Sequence, residues 1–170
     1  MNIKIKKGCH WRCNHLLTRL HIGRAWKRSY VVMFDASAQY HIMANRTQVN
    51  KLVGIGHVHH HLNSVRVGWR NTDENGLELV AYLYHNGDRS YKSIATNVAV
   101  NKPMLIDVEY KTNKEGYVQA EIRIDGISRS VDVWKSMKWW ERLPVMYECL
   151  PYFGGLVPAP HDINLCICRR

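Results

Sequence analysis

No stretch of this sequence approaches the roughly 18 consecutive apolar residues that a membrane-crossing helix requires, so no membrane partner is expected. The opening Met1-Asn2-Ile3-Lys4-Ile5-Lys6-Lys7 carries charge but no apolar stretch behind it, unlike a secretory leader. The expectation is a protein that stays in the cytoplasm where it is made, unless a larger assembly such as a phage particle takes it up. Cysteines are few and odd in number: Cys9, Cys13, Cys149, Cys166 and Cys168. Without a leader, that count argues against a disulfide framework. Helical periodicity is scarce, with Arg46–Leu52 and Trp134–Arg142 as short helical turns, and Trp139-Trp140 could equally plug a loop. No repeat, low-complexity stretch or linker divides the chain, so residues 1–170 read as a single domain.

Period-2 alternation is what the sequence has in quantity. Val65, Val67 and Trp69 share one face of Ser64–Trp69, and Arg66 takes the other. Leu77–His85 places Leu77, Leu79, Ala81 and Leu83 opposite Glu78, Val80, Tyr82 and Tyr84. Tyr117–Asp125 turns Val118, Ala120, Ile122 and Ile124 inward and Gln119, Glu121 and Arg123 outward. Leu105–Lys111, Ile163–Cys168, Tyr30–Phe34 and Ile3–Lys7 are further strands by the same criterion. Turn residues at 71–76, 85–88, 113–116 and 125–126 punctuate them as hairpins. Short strands at this spacing predict an all-β fold with little helix: a jelly-roll β-sandwich of two antiparallel sheets.

The net charge is +10, from 24 Lys and Arg against 14 Asp and Glu. Eight of the cations (Lys4, Lys6, Lys7, Arg12, Arg19, Arg24, Lys27 and Arg28) precede the first acid, Asp35. Residues 1–30 are thus a basic segment packed on the sandwich or extending from it. Such a surface attracts polyanions: an acidic glycan or an acidic protein surface, including neighbouring virion proteins. Nucleic acid is a weaker fit, because no run of five to eight Lys or Arg occurs.

Three groups of residues have the makings of a site. In an extended His57-Val58-His59-His60-His61, the imidazoles of His57, His59 and His61 would line one face and could hold zinc or another divalent metal. A further ligand would come from His161-Asp162; otherwise no cofactor is expected. Cys9-His10-Trp11-Arg12-Cys13 has metal-ligand chemistry without a second pair at finger spacing, and reads better as two buried thiols beside an aromatic. Cys166 and Cys168, two apart on a strand, read as small core residues sharing a side.

The third group is the outward set Arg66, Glu78, Tyr82, Tyr84, Gln119, Glu121 and Arg123. Placed on one curved sheet, its aromatics would stack on sugar rings while its polar groups hold hydroxyls, with His57, His59 and His161 nearby. Glu78 and Glu121 would supply the carboxylate pair that glycoside hydrolysis needs.

A resemblance joins these observations. Gly56-His57-Val58-His59-His60-His61-Leu62-Asn63-Ser64-Val65-Arg66-Val67-Gly68-Trp69 forms one part of it. Leu150-Pro151-Tyr152-Phe153-Gly154-Gly155 with Pro158-Ala159-Pro160-His161-Asp162-Ile163 forms the other. From about Val53 to the C-terminus the chain resembles uncharacterised Bacteroidota and phage proteins similar to the concanavalin A-like lectin/glucanase jelly rolls. The resemblance implies the fold. It supports the fold more than any activity; the function expected of the residues is a non-catalytic, lectin-like binding or attachment module for a glycan or other polyanion. Its alternatives are a phage virion structural or assembly protein, and a polysaccharide hydrolase or lyase.

Overall fold

The alternation in Met104-Leu105-Ile106-Asp107-Val108-Glu109-Tyr110 becomes a strand that buries Met104, Ile106, Val108 and Tyr110 and leaves Asp107 and Glu109 partly exposed. The same pattern organises the rest of the computed structural model, which describes residues 2–10, 20–40, 48–57, 59–72, 76–137, 143–154 and 157–170. The strands among them are β1 (Asn2–Ile5), β2 (Leu20–Ile22), β3 (Ala25–Phe34), β4 (Asn50–His57), β5 (Asn63–Asn71) and β6 (Leu77–His85). They continue with β7 (Asp88–Val98), β8 (Met104–Thr112), β9 (Tyr117–Ile124), β10 (Ser128–Lys135), β11 (Val145–Cys149) and β12 (Ile163–Arg169). A 3-10 turn at Ala36–Ala38 is the sole helical element among the described residues, capped by the Asp35 carboxylate accepting from the Ser37 N–H. No described helix is long and apolar enough to cross a membrane.

Two antiparallel six-stranded sheets result, in the orders β1-β12-β3-β8-β9-β10 and β2-β11-β4-β5-β6-β7. This is the jelly-roll sandwich. Its core fills with Phe34, Ile106 and Tyr110 from the first sheet and Ile55, Val67, Trp69 and Leu79 from the second, all fully buried. Each such side chain contributes about 1.5–3 kcal/mol. The Phe34 and Trp69 rings span the interface with centroids 5.7 Å apart. Polar groups also tie the sheets, since the Trp134 indole N–H donates to Asn63 Oδ1 at 2.6 Å and the Tyr30 hydroxyl donates to Glu148. Between β6 and β7, Asn86 and Gly87 both take positive φ (55° and 100°), the requirement of a tight two-residue hairpin.

The two sheets differ on their outer faces. Strands of the first alternate between buried and exposed, as expected when one face is solvated. By contrast, β5 and β6 are buried through seven consecutive residues each. Their outward side chains are covered as well, and Val49, Val80 and Tyr82 make a second apolar cluster there with Tyr84 packed on it. The outer face of the second sheet is therefore lined rather than bare, and it positions the site.

Several expectations need correction. Asn50–Leu52 is not helical but opens β4, and Trp134-Lys135 close β10, because cross-strand pairing outweighs a weak local helical preference. Residues 46–47 and 138–142, with Trp139-Trp140, lie outside the described residues. Cys166 and Cys168 do share a side of β12, but it is the outer one; Ile163, Leu165 and Ile167 take the core. Cys9 is exposed rather than buried, and Cys13 is outside the described residues. The basic beginning of the chain supplies the edge strand β1, paired with β12, and the interior strand β3.

Candidate functional site

Antiparallel register stacks outward side chains into rows across the second sheet, about 4.8 Å apart from strand to strand. One row runs Cys149–Gly54–Arg66–Tyr82–Tyr91 through β11, β4, β5, β6 and β7. The next, two residues along each strand, runs Tyr147–Gly56–Ser64–Tyr84–Arg89. A third contains Tyr152, Lys51, Gly68 and Val80, with Tyr152 joined to Lys51 by an isolated bridge. Large aromatic and cationic side chains flank a floor of glycine and serine. The result is a cleft of about 490 Å³, roofed by His60 and His61 from the turn after β4.

Arg66 lies on the cleft floor. It is 7% exposed, its Nε–H meets no acceptor, and among the described residues no carboxylate forms an ion pair with it. Glu148, the one acid among the described residues that line the cleft, is held by the Tyr30 hydroxyl. Lys51 donates to the Gly154 carbonyl at 2.9 Å, and its Nζ stands 4.8 Å from the Tyr82 ring centroid and 5.4 Å from that of Tyr152. Burial, and after it the positive charges of Arg66 and Arg89, pull the Lys51 ammonium down to about 8. A buried amine among cations loses its proton readily.

The aromatic hydroxyls hold theirs. Burial pushes Tyr82 up to about 12, helped by its hydrogen bond with Tyr84, whose hydroxyl is 3.4 Å away. Burial likewise pushes Tyr147 up to about 12. Its hydroxyl accepts from the His60 backbone N–H at 3.2 Å and bonds the His60 ring at Nδ1. Burial and Arg66 lower His60 to about 4, so that ring is neutral at pH 7. His61 is lowered by the same causes in the same order, and it meets Tyr84 edge-on with centroids 5.3 Å apart. The site thus combines a buried cation that bonds the Cys149 thiol but, among the described residues, no carboxylate, together with an amine of depressed basicity and protonated phenols.

The candidate residues from the sequence divide sharply. Arg66, Tyr82 and Tyr84 come together in the cleft. Glu78, on the same strand face as Tyr82, lies outside it, bound to Arg70 at 2.5 Å. Gln119, Glu121 and Arg123 belong to β9 in the other sheet, where Glu121 pairs with Arg123 at 2.7 Å and Arg129 at 2.9 Å. They do not share a sheet with Arg66, and Glu78 and Glu121 form no carboxylate pair. His57, His59 and His61 do not line one face either. The strand ends at His57, which turns into the core beside Tyr110 with ring centroids 5.5 Å apart, while 59–62 form a turn. Among the described residues no three His, Cys, Asp or Glu side chains are grouped to hold a metal. His161 donates its ring N–H to the Ser37 carbonyl at 2.8 Å, and Asp162 binds Lys4 at 2.6 Å and the Lys7 N–H at 2.9 Å, so both hold turns.

Sequence reasoning missed Lys51, His60, Arg89, Tyr147 and Tyr152. The spacing Lys51-x-x-Gly54-x-Gly56 was a signal, since glycines at every second position mark a strand face that something else must occupy.

No protein-family model matches the chain, and no curated protein matches it in sequence, so the likeness to Bacteroidota and phage proteins gains no support there. Solved structures do match it in fold. The alginate lyase Aly36B superposes with a TM-score of 0.70 at 15% identity, covering 99% of this chain and 78% of its own. Its lysine and tyrosine double mutant in complex with alginate tetrasaccharide gives 0.71 at 14% identity over the same shares. The alginate lyase vAL-1 from Chlorella virus gives 0.58 at 14% identity, covering 99% of this chain and 81% of its own. At these identities the likeness establishes the fold alone, the jelly-roll sandwich.

Proposed function

We propose that this protein is a polysaccharide lyase that cleaves a uronic-acid glycan by β-elimination. The observation that carries the reading is Arg66, a buried arginine at the floor of an open cleft with no anionic partner among the described residues. A buried charge left unpaired is costly, and a ligand carboxylate would satisfy it. In a uronate that carboxylate is attached to C5. Neutralising it acidifies the C5–H and stabilises the enolate formed when the proton leaves.

The rest of the cleft suits the remaining steps. Lys51 in its neutral form takes the C5 proton, its depressed basicity placing it near working pH. The electron pair forms the C4–C5 double bond as the C4–O bond breaks. Tyr84, backed by Tyr82, donates a proton to the departing oxygen. The products are one fragment with a new reducing end, whose C1 hydroxyl keeps the departing oxygen, and another whose non-reducing end is a C4–C5 unsaturated uronate, and no water is consumed. Hydrolysis is disfavoured because the paired carboxylates it needs are absent from the described cleft residues. The fold shared with alginate lyases supports catalysis over a module that merely holds a glycan.

The test is incubation with polymannuronate, polyguluronate, glucuronan and pectate, read by the ultraviolet absorbance of the unsaturated product. Product from at least one polymer, lost in Arg66→Ala and in Lys51→Ala, is the expected result. Binding to polyuronates without product from any of them would replace the lyase with a lectin-like module.

A further inference from the structure

The outer face of the first sheet carries a second arrangement, remote in the fold from the cleft. Cys166 and Cys168 project from the same side of β12, with their sulfurs 4.0 Å apart. β12 is an interior strand, paired to β1 on one side and β3 on the other, so its backbone is held straight. Alternate residues of such a strand have Cα atoms about 6.7 Å apart. That is at the outer limit for a disulfide, whose Cα separation is usually about 5.5–6 Å. The thiols are held close together but poorly placed to oxidise onto each other.

Their spacing does suit a shared metal ion. With metal–sulfur bonds of about 2.3 Å, a trigonal site separates its sulfurs by about 4.0 Å and a tetrahedral one by about 3.8 Å. The third donor is supplied by register. Met33 on β3 is the direct cross-strand partner of Cys166, and it lies on the outward face because Val32 and Phe34 take the core. Directly opposed residues have Cβ atoms about 4.5–5.5 Å apart, within reach of a thioether on three rotatable bonds. Cys166 and Met33 are half-buried and Cys168 is exposed. Thiolates also hold zinc, but zinc sites are built from Cys, His and carboxylates, so a thioether as third donor points to monovalent copper.

We propose that Cys166, Cys168 and Met33 form a three-sulfur site for a single Cu(I) ion on the outer face of the first sheet. Binding exchanges the two thiol protons for the metal and changes no oxidation state. The site is independent of the lyase reading.

The experiment is an anaerobic titration of the full, reduced protein with Cu(I) held by a chromophoric chelator such as bicinchoninate. Wild type is expected to withdraw one tight equivalent, which Cys166→Ser and Cys168→Ser each abolish. Met33→Leu should weaken it by more than about tenfold, since even loss of an outer-shell partner costs that much. Cys9→Ser, at an exposed thiol elsewhere, should leave it unchanged. Retention of the tight equivalent in either serine variant, or unaltered affinity in Met33→Leu, overturns the site. All three substitutions fall on the outer face, and an unchanged thermal midpoint confirms that each variant is folded.

Discussion

Gly54 lies directly opposite Arg66 in the β4–β5 register, and a methyl group added at Gly54 would stand 2.6 Å from the Arg66 Cα and 2.9 Å from its Cγ. Arg66 occupies the cleft floor because its neighbour has no side chain. The atom nearest to that methyl group is the Val65 carbonyl oxygen, so Gly54→Ala should push the β5 backbone away from β4 and carry the guanidinium with it. Overpacking predicts a loss of about 1–3 kcal/mol of stability. An ångström of misplacement predicts a fall in turnover on the order of a hundredfold. Denaturant melts and product assays on the same preparation check both.

Arg66 itself sets function against stability. A buried guanidinium whose Nε has no acceptor burdens the folded state when no ligand is present. Arg66→Met keeps most of the volume and removes the charge. It should stabilise the ligand-free protein by about 1–3 kcal/mol while abolishing product formation. A variant that is both inactive and less stable would mean that Arg66 has a structural partner and is not waiting for an anion.

The pH dependence follows from Lys51. Its free amine is the active form, so kcat/KM should rise with pH through about 8, the value to which burial and the neighbouring arginines lower it. Arg89 contributes through its positive charge, which favours deprotonation. Removing it in Arg89→Ala should move the inflection to higher pH. An inflection that stays in place in Arg89→Ala would show that another group titrates in the profile.

His57 predicts acid lability unrelated to catalysis. The ring is 1% exposed, neither nitrogen has a hydrogen-bond partner, and burial lowers it to about 4. An unfolded histidine titrates near 6.5. Between those values the unfolded state binds more protons, so stability falls as pH drops from about 6.5 to about 4. The contribution is at most about 3 kcal/mol. His57→Phe, which retains a flat ring against Tyr110, should make the protein less sensitive to acid over that window. His60, His61 and His85 are lowered in the same direction and will leave a residual slope. Urea melts at pH 7 and pH 4.5 on both proteins give the difference directly.

Much of the sandwich was legible from residue order because strand alternation is local. Leu77–His85 appears as β6 with the bounds its pattern suggests, and Tyr117–Asp125 and Leu105–Lys111 appear as β9 and β8 within a residue at each end. Strands with weak alternation were not legible. β7 carries the mostly exposed Asp88–Val98, and β4 is interrupted by Gly54 and Gly56. The strand pattern also identified Arg66, Tyr82 and Tyr84 as outward-facing, which is a statement about period and needs no partner.

What tertiary structure decided was which outward faces meet. Gln119, Glu121 and Arg123 obey the same alternation as Tyr82 and Tyr84, yet strand order puts them on the opposite side of the molecule. Lys51, Arg89, Tyr147 and Tyr152 are scattered over about a hundred residues of sequence and join Arg66 through hydrogen-bonded register. Even the basicity of Lys51 is a property of that assembly, since burial and neighbouring cations set it. The sequence alone determined the strongly alternating strands and which way their side chains point, because both follow from neighbours along the chain. The site depends on strand order and register, which exist only once the sheets have closed on their common core.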